Sequence, residues 1–168
     1  MSLETLAKRG SLASFGPRDT SQKFGGVIGD GVIKQISYEI NYTDLASTSA
    51  GAVTGLDHVI PAGASILNCR YVVETAVVGP TAITCGTYKA SDGTTAIDAD
   101  GLMTAAVGVV TAMDAANDVV VGTGAQLTTA TGGTGALEFD AVIRVLPTVA
   151  VATAGKFRVY VEYLMPAA

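Results

Sequence analysis

Three aspartates fall within nine residues in the stretch Asp92-Gly93-Thr94-Thr95-Ala96-Ile97-Asp98-Ala99-Asp100-Gly101. Carboxylates at that density resemble a calcium loop, where about six to eight oxygens surround the ion. The full loop pattern also needs a further Asp or Asn at fixed spacing and a distal Glu, and this stretch has neither. The three acids fit turn and capping carboxylates, which accept hydrogen bonds from nearby backbone N–H groups. His58, the one histidine of the chain, stands beside Asp57. A Ser/His/Asp reading fails because no Gly-x-Ser-x-Gly elbow is present and adjacent residues of a strand point to opposite faces. Cys69 and Cys85 fall on the apolar phase of consecutive strands. They read as two small buried hydrophobes, with a cross-strand disulfide open only if the register sets them opposite each other. The stretches Gly25-Gly26-Val27-Ile28-Gly29-Asp30-Gly31 and Gly122-Thr123-Gly124 are glycine-rich like phosphate cradles. Neither follows a buried strand and opens a helix, and neither carries the Lys-Ser/Thr pair of a P-loop, so both read as turns.

The elements that would position such residues must be built from an unusual alphabet. Ala, Gly, Thr and Val together make up half of the 168 residues. Charged residues are 15% of the chain, against about 25% in an ordinary soluble domain. With one His, two Cys and no Trp, the chain lacks ligands for a His/Cys metal site and the cysteine for a disulfide-stapled scaffold. A net charge of −5 opposes nucleic-acid binding, which needs Lys and Arg against phosphate. The apolar fraction of 49% opposes disorder. No window reaches the roughly 18 apolar residues of a membrane span, and the N-terminus has no signal-like apolar core. The reading therefore invokes no membrane, no nucleic acid and no cofactor. So much apolar composition with so little charge implies a surface partly covered by other subunits.

Charge is split along the chain. Residues 1–25 carry a net +2, from Lys8, Arg9, Arg18 and Lys23 against Glu4 and Asp19, whereas residues 26–168 carry −7. The first segment has no sustained period and is interrupted by glycines. Residues 1–31 are read as an extended N-terminal arm that orders against a partner, the alternative being a frayed terminus, with apolar anchors at Leu12, Phe15 and Phe24, and a helical turn over Leu3–Lys8. Residues 32–168 are read as the domain. Ile36, Tyr38, Ile40 and Tyr42 alternate with polar residues. Leu67, Cys69, Tyr71, Val73 and Val77 form one face of a long strand over 65–77, with Asn68, Arg70 and Glu74 on the other. Ile83, Cys85 and Thr87 alternate next, ending at the turn Ala90-Ser91-Asp92-Gly93. Leu137, Phe139, Ala141, Ile143 and Val145 alternate with Glu138, Asp140, Val142 and Arg144. Phe157, Val159, Val161 and Tyr163 alternate with Lys156, Arg158, Tyr160 and Glu162. Period two marks half-buried strands. Residues 102–113 fit a short helix or a strand, and Val119–Val121 and Gln126–Thr131 read as strands. Seven to nine strands with at most one short helix predict an all-β, antiparallel β-sandwich of jelly-roll type.

The order of short motifs resembles a known group. Ile60-Pro61-Ala62-Gly63-Ala64, a strand ending Glu74-Thr75-Ala76, Asp92-Gly93-Thr94, Ile97-Asp98-Ala99-Asp100-Gly101-Leu102, Val121-Gly122-Thr123-Gly124-Ala125 and the closing Ala154-Gly155-Lys156-Phe157-Arg158-Val159-Tyr160-Val161-Glu162-Tyr163-Leu164 follow one another over residues 57–164. This succession resembles the capsid cement (decoration) proteins of tailed bacteriophages. Residues 136–153 depart from the Gly/aromatic pattern of that group. The resemblance implies a jelly-roll virion protein, made in the host cytoplasm and bound on the outer surface of an icosahedral shell. It implies a homotrimer whose partner is the major capsid protein, with neighbouring capsid subunits cemented together and no enzymatic activity. On that reading Lys8, Arg9, Arg18 and Lys23 meet an acidic capsid surface, while Phe15 and Phe24 fill apolar pockets.

Two other functions compete with it. A receptor- or glycan-binding head-fibre or tail module would need exposed aromatic and amide groups, for which Asn41, Tyr42, Asn68, Tyr88 and Asn117 are the supply. A cupin-like hydrolase or isomerase would need several histidines.

Overall fold

The computed structural model describes residues 33–49, 58–127 and 136–165, together with the backbone alone of Leu12–Phe15 and Gly26–Gly29. Nine strands appear in these residues: β1 (Leu12–Phe15), β2 (Gly26–Gly29), β3 (Ile33–Asn41), β4 (Ser65–Val78), β5 (Ala82–Lys89), β6 (Ala96–Met103), β7 (Val119–Val121), β8 (Ala141–Thr148) and β9 (Ala154–Leu164). They form a six-stranded sheet in the order β1-β2-β3-β9-β4-β7 and a three-stranded sheet in the order β6-β5-β8. Every pairing between these strands is antiparallel.

The crossovers are those of a jelly roll. From β3 onward the first sheet reads β3-β9-β4-β7, so the closing strand lies between the opening strand and β4. In the second sheet, the position before β8 is filled by a single bridge, Ile60 to Ala141, with hydrogen bonds of 2.7 and 2.8 Å in both directions. The fold is the expected all-β sandwich. Helical structure among the described residues amounts to two 3-10 turns, Tyr42–Leu45 and Val110–Ala112. No described helix is long and apolar enough to cross a membrane.

The alternating residues of β9 explain the architecture. Phe157, Val159, Val161 and Tyr163 are buried, while Lys156, Arg158, Tyr160 and Glu162 stay partly exposed. Paired on both sides, β9 aligns Ile36, Tyr38 and Ile40 of β3 and Cys69, Tyr71 and Val73 of β4 toward one core. Ile83, Cys85, Ile143 and Val145 face them from the other sheet. Tyr71 and Phe157 pack at 5.0 Å between ring centroids, tilted by 48°, a favourable aromatic geometry.

Local chemistry shifts several expected boundaries. A bulge between Ile66 and Asn68 reverses the phase of β4, so Ile66 is buried and Leu67 only half-buried. Tyr42 leaves the buried face because the Asp44 carboxylate accepts the Asn41 N–H at 2.9 Å and turns the chain. The strand expected from Leu137 starts at Ala141. Leu137 instead exchanges backbone bonds with Gly63 and Ala64, at 2.7 and 2.8 Å. Residues 102–113 are neither helix nor strand throughout: β6 ends at Met103, and a 3-10 turn follows at Val110. Gly26–Gly29, expected as a turn, is strand β2, paired with β1 and β3. Of the strand expected at 126–131, Leu127 forms a single parallel bridge to Ile66, and residues 128–131 lie outside the described residues.

Gly122-Thr123-Gly124 seals one side of the sandwich. The Gly122 N–H donates to the Cys69 carbonyl at 2.7 Å, and the Gln126 N–H to the Gly101 carbonyl at 2.9 Å, so the segment joins β4 of one sheet to β6 of the other. A Cβ at Gly124 would overlap the Gly101 backbone. Gly124→Ala is expected to destabilise by about 1–3 kcal/mol in a denaturant titration. The Tyr71 hydroxyl is fully buried without a nitrogen or oxygen partner among the described residues. Tyr71→Phe is therefore expected to leave stability unchanged or raise it by about 1 kcal/mol. Tyr71→Ala is expected to lose about 3–5 kcal/mol.

Candidate functional site

The side chains that looked most like chemistry are occupied in holding the fold. Asp92 Oδ1 accepts the N–H groups of Thr94 and Thr95, both at 2.8 Å, and Oδ2 accepts the Thr95 hydroxyl at 2.5 Å. The hydroxyl bond first, and the two backbone bonds after it, hold its pKa down at about 2. Asp98 faces the other way energetically: partial burial raises its pKa, and its Oδ1 accepts the Asp100 N–H at 3.4 Å. Among the described residues no group of three His, Cys, Asp or Glu side chains is placed to hold a metal ion.

His58 Nε2 lies 3.3 Å from the Tyr163 hydroxyl, and burial lowers the imidazole pKa. Asp57 lies outside the described residues. Cys69 and Cys85 are free and buried, and they sit in different sheets, β4 and β5. The cross-strand arrangement entertained from sequence is therefore absent. Burial pushes the Cys85 thiol well above its ordinary pKa, and the neighbouring Cys69 adds to that. The Thr87 hydroxyl donates to Gln126 Oε1 at 2.6 Å, a buried bond that ties β5 to the sealing segment.

The outward face of the larger sheet is organised in cross-strand rows. Glu39, Arg158 and Val72 lie in one row with Val119, and Tyr160 lies between Ser37 and Arg70 in the next, with Val121 at its end. Arg158 bonds Glu74 at 2.6 Å and Glu39 at 2.9 Å, while Lys156 reaches the same two acids at 3.0 and 3.1 Å. Arg70 stacks over the Tyr160 ring at 5.1 Å and reaches Glu162 at 3.7 Å. Each partly exposed pair contributes about 0–1 kcal/mol. Their larger consequence is that this face neutralises its own charge.

Apolar side chains stay outside this network. Val119 and Val121 project from the short edge strand β7, at 56% and 54% exposure. Val78, Val149 and Val151 lie in or beside the β4–β5 and β8–β9 turns, and Val149 is 88% exposed. None of these valines stood out in the sequence, because their exposure depends on turn geometry and edge position. Of the groups a glycan site would recruit, Tyr88 is buried at 3% exposure, Tyr42 is exposed and Asn68 is half-buried within β4.

Lys8, Arg9, Arg18, Lys23 and Phe24 lie outside the described residues. Phe15 closes β1, which is described by its backbone alone. The chain leaves β1 at Phe15 and re-enters β2 at Gly26, and these two residues pair with each other. No protein-family model matches the chain, and no curated protein matches it.

The carboxylates make acid stability testable. The pKa of Asp92 is depressed in the fold, as is that of Glu74 beside Arg158 and Lys156. Their stabilisation is complete above about pH 5 and is lost as pH falls through the folded values. Asp98, with its pKa raised, acts in the opposite sense. Melting temperature is expected to fall between about pH 5 and pH 2, and Asp92→Asn is expected to flatten that fall.

Proposed function

We propose that this is a structural virion protein that binds the outer surface of an icosahedral phage capsid and cements neighbouring major capsid subunits. The observation that carries the reading is the division of labour on the surface. Polar groups are spent on turns and on a self-neutralising ladder, while valines are left outward at an edge and at turns. Such a surface gains free energy when neighbours cover it. The jelly-roll order of the strands and the motif succession over residues 57–164 support the same reading.

The mechanism is stabilisation by mass action. A protein that binds the assembled shell and not its free subunits shifts the equilibrium toward the shell. In the proposed homotrimer, three N-terminal arms reach one lattice site, so weak contacts gain through effective concentration. Lys8, Arg9, Arg18 and Lys23 meet acidic capsid surface, and Phe15 and Phe24 enter apolar pockets.

Replacing Lys8, Arg9, Arg18 and Lys23 by glutamine, which leaves β1 (Leu12–Phe15) in the larger sheet, and measuring copies bound per shell tests the arm. Half-maximal occupancy is expected to require about a hundredfold more protein. Undiminished occupancy contradicts the role given to the arm. Specific capture on a glycan array would favour a receptor-binding module instead.

A further inference from the structure

The turn between β8 and β9 is built against the backbone's own preference. Val149 has φ 70°, and the Ala150 N–H donates to the Thr148 carbonyl at 2.8 Å, closing a three-residue γ-turn of the strained, positive-φ kind. A β-branched residue in this region is an outlier. Every other positive-φ position among the described residues carries Gly or Asn: Gly63, Gly79, Gly93, Asn117 and Gly155. Val149 is also the most exposed large apolar side chain among the described residues. Glycine or asparagine would relieve the strain and remove the exposed apolar surface.

The surroundings hold the strain in place. The Thr148 hydroxyl accepts the Ala82 N–H at 3.0 Å and donates to the Ala82 carbonyl at 3.1 Å. The Thr148 carbonyl also accepts the Thr81 N–H at 3.2 Å. On the far side the Ala152 N–H donates to the Leu45 carbonyl at 3.2 Å, and the Thr153 N–H to the Val78 carbonyl at 2.8 Å. Gly79 lies so close that a Cβ there would meet the Val151 carbonyl oxygen at 2.5 Å. Strain maintained by this many bonds is characteristic of functional sites.

We infer that the Val149 turn, flanked by Val78 and Val151, is the knob by which the protein docks into an apolar socket on a protein partner, and that basic side chains rim the socket. The charge of this end selects the occupant. Residues 42–49, 78–81, 105–116 and 147–153 contain no Lys or Arg, and their charged residues are Asp44 and Asp114. An anionic lipid surface or a nucleic acid would need basic groups here, whereas two acids complement a basic rim. The inference rests on the proposed capsid function, with the major capsid protein as the partner.

Val149→Asn and Val149→Gly test it with two separate readouts. Each is expected to raise the melting temperature of the free protein, by about 2–4 °C for relieved strain. Each is expected to lower affinity for shells by about tenfold, the loss of one buried valine. Asp114→Lys is expected to weaken attachment without the rise in melting temperature. Full attachment by both Val149 variants overturns the knob while leaving capsid binding intact. Failure of the wild-type protein to bind shells overturns the capsid reading and this inference together. An unchanged melting temperature overturns the strain argument, and full attachment of Asp114→Lys overturns the basic rim. A change in the sedimentation of the free protein on Val149→Asn would assign the knob to a second copy of the chain and overturn the capsid socket.

Discussion

The placement of β9 between β3 and β4 is the constraint from which the rest follows. It is bonded along nearly its full length on both sides. Because side chains alternate across a strand, its register sends Phe157, Val159, Val161 and Tyr163 into the core and Lys156, Arg158, Tyr160 and Glu162 onto the opposite face. The same pairing aligns Glu39 and Glu74 with the two cations between them. Sheet closure therefore fixes the hydrophobic core and the charge ladder in one step. Its partners β3 and β4 are far from it in sequence. Pairings this distant in sequence slow folding relative to local ones.

The second sheet depends on close approach. Gly86 lies where a side chain would collide with the backbone of Asp98 and Ala99, and Gly122 lies against the carbonyls of Leu102 and Cys69. In a sandwich built from Ala, Gly, Thr and Val, missing side-chain volume is offset by backbones that pack nearer to one another. Arg144 shows what this does to the outer face of β8. Its guanidinium donates to the Gly93 carbonyl at 3.0 Å and is buried under that turn, so β8 is covered on both faces and its burial no longer alternates.

Much of this was legible in the sequence because period two is imposed by geometry. The alternation of Ile36, Tyr38 and Ile40, and that of Phe157 through Tyr163, located β3 and β9 with the correct inward faces. Gly63 and Gly93 marked turns, where they adopt φ of 81° and 67°. Tertiary context was less legible. Nothing local distinguishes Ile66 from Leu67 until a bulge chooses between them, and consecutive strands carrying Cys69 and Cys85 look alike whether they share a sheet or face each other across the core. Asp92 was readable as a turn carboxylate because its Thr94 and Thr95 partners adjoin it. Val149 was not, since a valine in a short loop gives no sign of its positive φ or its exposure.

A β-sandwich with self-neutralised charge and outward valines suits a protein whose role is to be covered by neighbours. The most direct measurement is calorimetry of isolated icosahedral shells titrated with the purified protein. The proposed cement predicts that shell disruption moves to higher temperature with added protein and stops moving at a fixed number of copies per shell. An unchanged disruption temperature, with no protein co-sedimenting with the shells, would contradict it.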